Sequence, residues 1–285
     1  MVNVLTILVT GAMISSVYAL IAIGFSLIYG VRGVINLSHG ALIMIGAFGY
    51  LVINQYAPAP VAFVGAIAVA GLASLVLYLG LVRFTEHDVV TTFLATVVVA
   101  LIVQQLLTIQ FSLAPRSLSP LVEGGIAVAG TRVRLYQIVA FALSWVALGL
   151  LYLFVRRTKL GRSILATSMS EKGAKLTGVN VLYVNAATWL VAGAFAGFSG
   201  VFIGALQSTS PLMWVNALGL AFIIVTIGGV GSIKGTIVAA YLIGFLETLT
   251  VSFVGPQWRG MFALLLLIGI IIARPQGLFG REFIE

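Results

Sequence analysis

Cysteine is absent from the 285-residue chain, which removes disulfides, thiol catalysis and cysteine-ligated metal from consideration. Histidine is almost absent. His39 and His87 stand far apart with no acid in a recognisable motif beside them, so no metal centre is expected. Nothing assembles a nucleophile, its base and an orienting acid, so neither an enzyme nor a cofactor is expected. No G-x-x-x-x-G-K-[ST] phosphate loop occurs. The nearest run, GSIKGT (Gly231 to Thr236), lacks the spacing, which excludes ATP binding by that route. Charge of either sign is scarce, at 8% of residues against about a quarter in soluble domains. Acid is the scarcer sign, with seven Asp and Glu against fifteen Lys and Arg.

Apolar residues make up 61% of the chain, and they fall in long runs. This is the composition of an all-α polytopic membrane protein. A net charge of +8 does not imply nucleic-acid binding, because the excess is concentrated in one stretch and no basic face alternates with exposed aromatics. That stretch is Arg156 to Asn180, with six of the fifteen basic residues and only Glu171 opposing them. A short basic segment between apolar runs is poorly translocated, which predicts that the loop Arg156–Val184 is cytoplasmic. Within it, Ser170 can cap a short helix running through Lys175, and Gly178 can end that helix in a left-handed turn.

At roughly 20 apolar residues per span, the chain divides into Val4–Tyr29, Leu37–Tyr56, Val61–Val82, Val90–Leu113, Tyr136–Val155, Asn185–Gln207, Val215–Ile227, Thr236–Phe253 and Gly260–Ala273. Ala114–Leu135 is a polar connection with short turns, and Val215–Ile227 is too short to span comfortably. MVNVLTIL has no basic n-region and no small-residue cleavage site after it, so the first run reads as a retained span. With the basic loop inside, Arg32, Arg83, Lys234, Arg274 and Arg281 join it on the cytoplasmic side. Arg116, Arg132, Arg134 and Arg259 fall outside, a division of eleven to four. This predicts about nine spans, a periplasmic N-terminus and a cytoplasmic C-terminus, in one transmembrane domain over residues 1–285.

Few polar residues interrupt the spans. Glu247 lies in YLIGFLETLTVSF, where an acid is functional or paired. Gln104 and Gln105 can bridge helices. The tract GAFAGFSGVFIG sets Gly193 against Gly197 and Gly200 against Gly204 at four-residue spacing, which predicts tight helix packing. An internal echo relates GVRGVINLSHG (Gly30 to Gly40) to GGVGSIKG (Gly228 to Gly235), each opening a new span.

Three stretches resemble one family. Ser15 to Phe48, Leu160 to Asn180 and Ile227 to Glu247, with the tail RPQGLFG, are similar in order and spacing to the branched-chain amino acid permeases of bacterial ABC importers, in particular to the first of the two permeases such systems encode. The resemblance implies an inner-membrane subunit related to ten-helix sugar-type permeases but lacking their first helix. It implies a homologous second permease forming a heterodimer, two cytoplasmic ATPases, a periplasmic substrate-binding protein and surrounding lipid. The substrate would be a branched-chain or other neutral amino acid, with urea, short amides or aromatic acids as alternatives in the same architecture. An ATP-independent carrier and a purely structural subunit are the competing classes. The implied coupling helix corresponds to Glu171 through Gly178, with Ala174 and Leu176 as an apolar knob and Lys172 and Lys175 fixing register. The expected substrate route is lined by Asn36, Ser38 and His39 with Thr226 opposite, while Gly40 and Gly229 let backbone approach it.

Overall fold

A computed structural model describes residues 4–128 and 131–280. Eleven helices and one hairpin make up the fold as labelled here: α1 Val4–Arg32, α2 His39–Ile53, α3 Ala59–Thr85 with a π turn at Tyr78–Val82, α4 Val89–Phe111, β1 Gly125–Val128, β2 Thr131–Arg134, α5 Leu135–Arg157, α6 Lys159–Met169, α7 Glu171–Leu176, α8 Val181–Gln207, α9 Met213–Gly228, α10 Ile233–Phe253 and α11 Met261–Ala273. Seven of these segments are long and apolar enough to cross a membrane, the last counted from Pro256. An uninterrupted apolar run has little choice of structure in lipid, because only a helix satisfies its backbone internally.

Two shorter apolar helices organise the molecule. At 15 and 16 residues, α2 and α9 reach only about 22 and 24 Å, short of a hydrocarbon core of about 30 Å. α1 closes at Gly33, whose φ of +64° ends the helix, and the chain then turns back alongside it. Leu37 donates its N–H to Thr96 Oγ1 of α4 at 3.2 Å, and the His39 ring meets the Ile21 carbonyl at 2.9 Å. Ile21 lies about 16 Å back along α1, so α2 starts at that depth. The second span expected at Leu37–Tyr56 is therefore a half-helix preceded by a re-entrant turn. α9 is entered the same way, through Ser208 (φ +72°) and Thr209, which pairs with Arg116 through two backbone hydrogen bonds of 2.8 Å.

The long central helices pack antiparallel. Ser74 of α3 bonds the Trp189 carbonyl of α8, and Gly197 abuts Ala66 and Ala70. Gly24 of α1 abuts Ala192 of α8, while Gly11 and Gly30 meet Phe245 and Gly231 on either end of α10. α1 and α3 thus run one way, α8 and α10 the other. Long helix, re-entrant turn, half-helix, long helix and peripheral helix recur in that order as α1–α4 and again, inverted, as α8–α11. The repeat expected between Gly30–Gly40 and Gly228–Gly235 has a different register. The counterpart of the first turn is Ser208–Leu212, and Gly30 and Gly231 are neighbours.

Two further expectations are corrected. The polar connection contains an antiparallel hairpin, with Gly125 opposite Arg134 and Ile126 opposite Val133, so the fold carries one short sheet. The basic stretch is not a loop. α5 runs on to Arg157, and α6 follows as an amphipathic helix that buries Gly161, Ile164 and Thr167. Thr158 caps it, its Oγ1 accepting the Gly161 N–H at 2.9 Å.

Candidate functional site

The N-terminal turns of α2 and α9 meet at mid-depth. A Cβ on Gly40 would lie 2.3 Å from the Trp214 carbonyl oxygen, so only glycine allows this approach. Trp214 Nε1 donates to Gln104 Oε1 of α4, at 2.5 Å, the bridging role expected of that glutamine. Asn36, Ser38 and His39 lie beside this junction and are at most 1% exposed. Asn36 Oδ1 accepts from both Ser38 N (3.1 Å) and Ser38 Oγ (2.6 Å). This leaves Asn36 Nδ2 a buried donor without a partner. The bond to the Ile21 carbonyl makes Nε2 the protonated nitrogen of His39 and leaves Nδ1 an unpartnered acceptor. Two of the unpartnered buried polar atoms thus stand beside two converging positive helix ends. The neighbours Ile35 and Leu37 are partly exposed, so the turn presents apolar side chains outward and polar ones inward.

Thr226 and Gly229 are elsewhere. Twelve residues separate Thr226 from Trp214, about 18 Å along α9, so it is not opposite Asn36. It belongs to a cradle for the C-terminal tail. Leu278 N bonds the Ile227 carbonyl at 2.8 Å and Phe279 N bonds the Gly228 carbonyl at 3.1 Å. Gly229, at φ +94°, faces Gly280 so closely that a Cβ would be 2.4 Å from its nitrogen. The surroundings of Gly229 are backbone of this same chain.

At the end of the molecule that carries the basic stretch, α7 is a single capped turn and a half. Ser170 Oγ accepts the Gly173 N–H at 3.0 Å, and Gly178 closes the helix at φ +82°. Leu176 is 82% exposed, with Lys172 and Lys175 also exposed. Ala174, at 3%, is turned into the protein and cannot be part of an exposed knob. Lys175 Nζ lies 2.7 Å from Glu171 Oε1. The hydrogen bond from Lys175, with help from Arg32, holds the Glu171 carboxyl below its usual range despite partial burial.

Glu247 is paired. Tyr18 donates its hydroxyl to Oε2 at 2.6 Å, and Arg259 Nε lies 2.9 Å from Oε1. The three join α1, α10 and the segment before α11. Replacing Glu247 by Leu leaves a buried hydroxyl and a guanidinium unmatched, and is expected to destabilise the fold by about 1–3 kcal/mol, measured as a lowered thermal midpoint in detergent. Sequence reasoning missed these partners of Glu247, and it counted Arg32 only as a topological charge. A lone acid in an apolar run signals that a partner exists but does not say which.

The chain matches the family described as branched-chain amino acid transport system / permease component over residues 7–271. It is similar to the high-affinity branched-chain amino acid transport system permease protein BraD of Pseudomonas aeruginosa, 26% identical over 98% of this chain and 96% of that protein. The corresponding LivH protein of Escherichia coli is 26% identical over 96% and 95%. The ribose import permease protein RbsC of Haemophilus influenzae is 26% identical over 82% and 73%. No solved structure matches.

Proposed function

The chain belongs to the family of permease components of branched-chain amino acid transport systems, and from that premise we propose that it moves branched-chain or other neutral amino acids inward as one half of an ABC importer. It is a multi-pass protein of the bacterial inner membrane. In the proposed assembly a homologous second permease completes the pore, a periplasmic protein delivers substrate, and two ATPases supply the free energy. The observation that carries this reading is α7, a polar helix capped at both ends and projecting an exposed Leu176 from a chain whose sequence has no phosphate loop of its own. The Arg156–Val184 end is then cytoplasmic, with nine apolar helices between a periplasmic N-terminus and a cytoplasmic C-terminus. Glu247, the acid within the helical core, is engaged by Tyr18 and Arg259, which favours an external energy source over a titrating carboxylate.

On this reading the route runs along the face where α2 and α9 begin. Ile35 and Leu37 offer apolar contact there, and the orphaned Asn36 and His39 atoms become usable when the junction loosens. The reading is tested by purifying the tagged chain from cells that express the whole system. Two ATPases and a second permease should co-purify, and proteoliposomes of the complex should take up leucine only with ATP and binding protein. Uptake by the isolated chain would overturn the reading.

Orientation has its own test, made simple by the absence of native cysteine. Thr167 is buried, so the inner reporter is placed at exposed Lys172 and the outer one at Tyr56, which is 86% exposed. In intact cells an impermeant maleimide should label Tyr56→Cys and spare Lys172→Cys. The opposite pattern would invert the whole arrangement.

A further inference from the structure

Two of the seven acidic residues in this chain are spent on one arginine. Arg32 ends α1, and its side chain is only 9% exposed. Glu86, at the end of α3 beyond the π turn, is bound through two of its nitrogens, Nε–Oε2 being 3.1 Å. The third nitrogen pairs with Glu171, the first residue of α7, which is also held by Lys175. The group of four is electrically balanced, and it joins three segments distant in sequence. Below it, Val31, Ile164 and Val184 pack together, and Tyr78 of the π turn stacks on Trp189 at 5.7 Å. Immediately after Arg32 comes Gly33, and with it the turn that leads to Asn36, Ser38 and His39.

We infer that Arg32 is a positioning residue for coupling: it transmits displacement of α7 both to α3 and to the re-entrant turn at residues 33–38. The inference rests on the reading of α7 as the ATPase contact. The physical case is the fork of the guanidinium. It serves two carboxylates on different segments at once, which a lysine ammonium on a flexible stem does not reproduce. Arg32 and Glu86 are largely enclosed, at 9% and 10% exposure, so pulling Glu171, itself 37% exposed, off the third nitrogen leaves a buried guanidinium only part-paired. α7 therefore does not move alone. It draws the end of α1 with it, and residue 33 onward must follow.

The test uses the complete importer in proteoliposomes, with a single cysteine at Leu37 in this chain and labelling followed by mass spectrometry. ATP with vanadate should change the labelling rate at Leu37→Cys about fivefold, a coupling of ordinary size. In Arg32→Lys the ATPases should remain bound and at least half of the hydrolysis should persist, with the nucleotide-dependent change at Leu37→Cys falling below about twofold. A neutral double variant, Arg32→Gln with Glu86→Gln, strands no charge, because Glu171 keeps Lys175. It should fold and assemble normally yet show the same loss. If Leu37→Cys does not respond to nucleotide in the otherwise native complex, or if the double variant responds fully, the inference fails. Loss of labelling response and hydrolysis in equal proportion would also sink it, leaving Arg32 a merely structural residue. The ATPase contact itself fails only if Leu176→Asp complexes keep their ATPases, so the two failures are distinguishable.

Discussion

Leu176→Asp should release the ATPase subunits from the purified complex and abolish both uptake and substrate-stimulated hydrolysis, while membrane insertion stays normal. At 82% exposure the side chain contributes little to this chain's own fold, so a charge there is tolerated in the isolated permease. In a docked groove the same charge is desolvated without a partner. A central apolar anchor is worth about 2 kcal/mol or more on truncation, which weakens association by roughly 30-fold, and burying a carboxylate adds to that. Lys172→Ala should do less and be sensitive to salt, since an exposed charge acts mainly through long-range attraction. Lys175 is tied to Glu171, so its removal loosens α7 as well. Ala174→Asp is the contrast: at 3% exposure it should reduce folded protein before any partner is involved. Retention of the ATPases by Leu176→Asp would place the coupling surface elsewhere.

Gly200→Ala is expected to prevent accumulation of folded protein, a large effect for a single methyl. Its Cβ would sit 2.0 Å from the Ile43 carbonyl oxygen and 3.2 Å from the Ala47 nitrogen. Backbone atoms of α2 cannot rotate away as a side chain can, so the helices must separate. Added volume in a packed core costs about 1–3 kcal/mol even when side chains give way, and here the contact is backbone. Gly46→Ala should behave similarly, because its Cβ would lie 2.4 Å from the Gly197 Cα. Gly149 on α5 has nothing within 4 Å. There Gly149→Ala should be neutral or stabilising by up to about 1 kcal/mol, through helix propensity. Thermal midpoints of the detergent-solubilised variants decide the matter. Equal midpoints for Gly200→Ala and Gly149→Ala would refute the packing argument.

The glycine spacing also illustrates how far sequence carries. GAFAGFSGVFIG announces close helix approach, because small residues at four-residue intervals form a groove on one face. It does not say that the groove changes partner along its length. Gly193 and Gly197 receive α3 through Ser74, Ala70 and Ala66, while Gly200 receives α2 through Ile43 and Ala47 and Gly204 faces Thr209 and Leu118. That division depends on where α2 starts, and its start is set by the turn at residues 33–38.

Several features were determined by local chemistry alone. Apolar runs specify helices because lipid leaves the backbone no other partner. Ser170 and Gly178 specify the ends of α7 because a side-chain oxygen and a residue tolerant of positive φ are what those ends require. The scarcity of polar residues makes Glu247 conspicuous in the sequence itself. Only the tertiary structure decided the half-helices, the inverted repeat and the Arg32 hub. The depth at which a helix begins is set by what its first turn packs against, and for α2 that is Ile21, Gly24 and Trp214. The tail's seat on Gly229 and the partners of Arg32 and Glu247 are decided likewise. Each joins residues far apart in the chain, and periodicity and composition report only on neighbours along it.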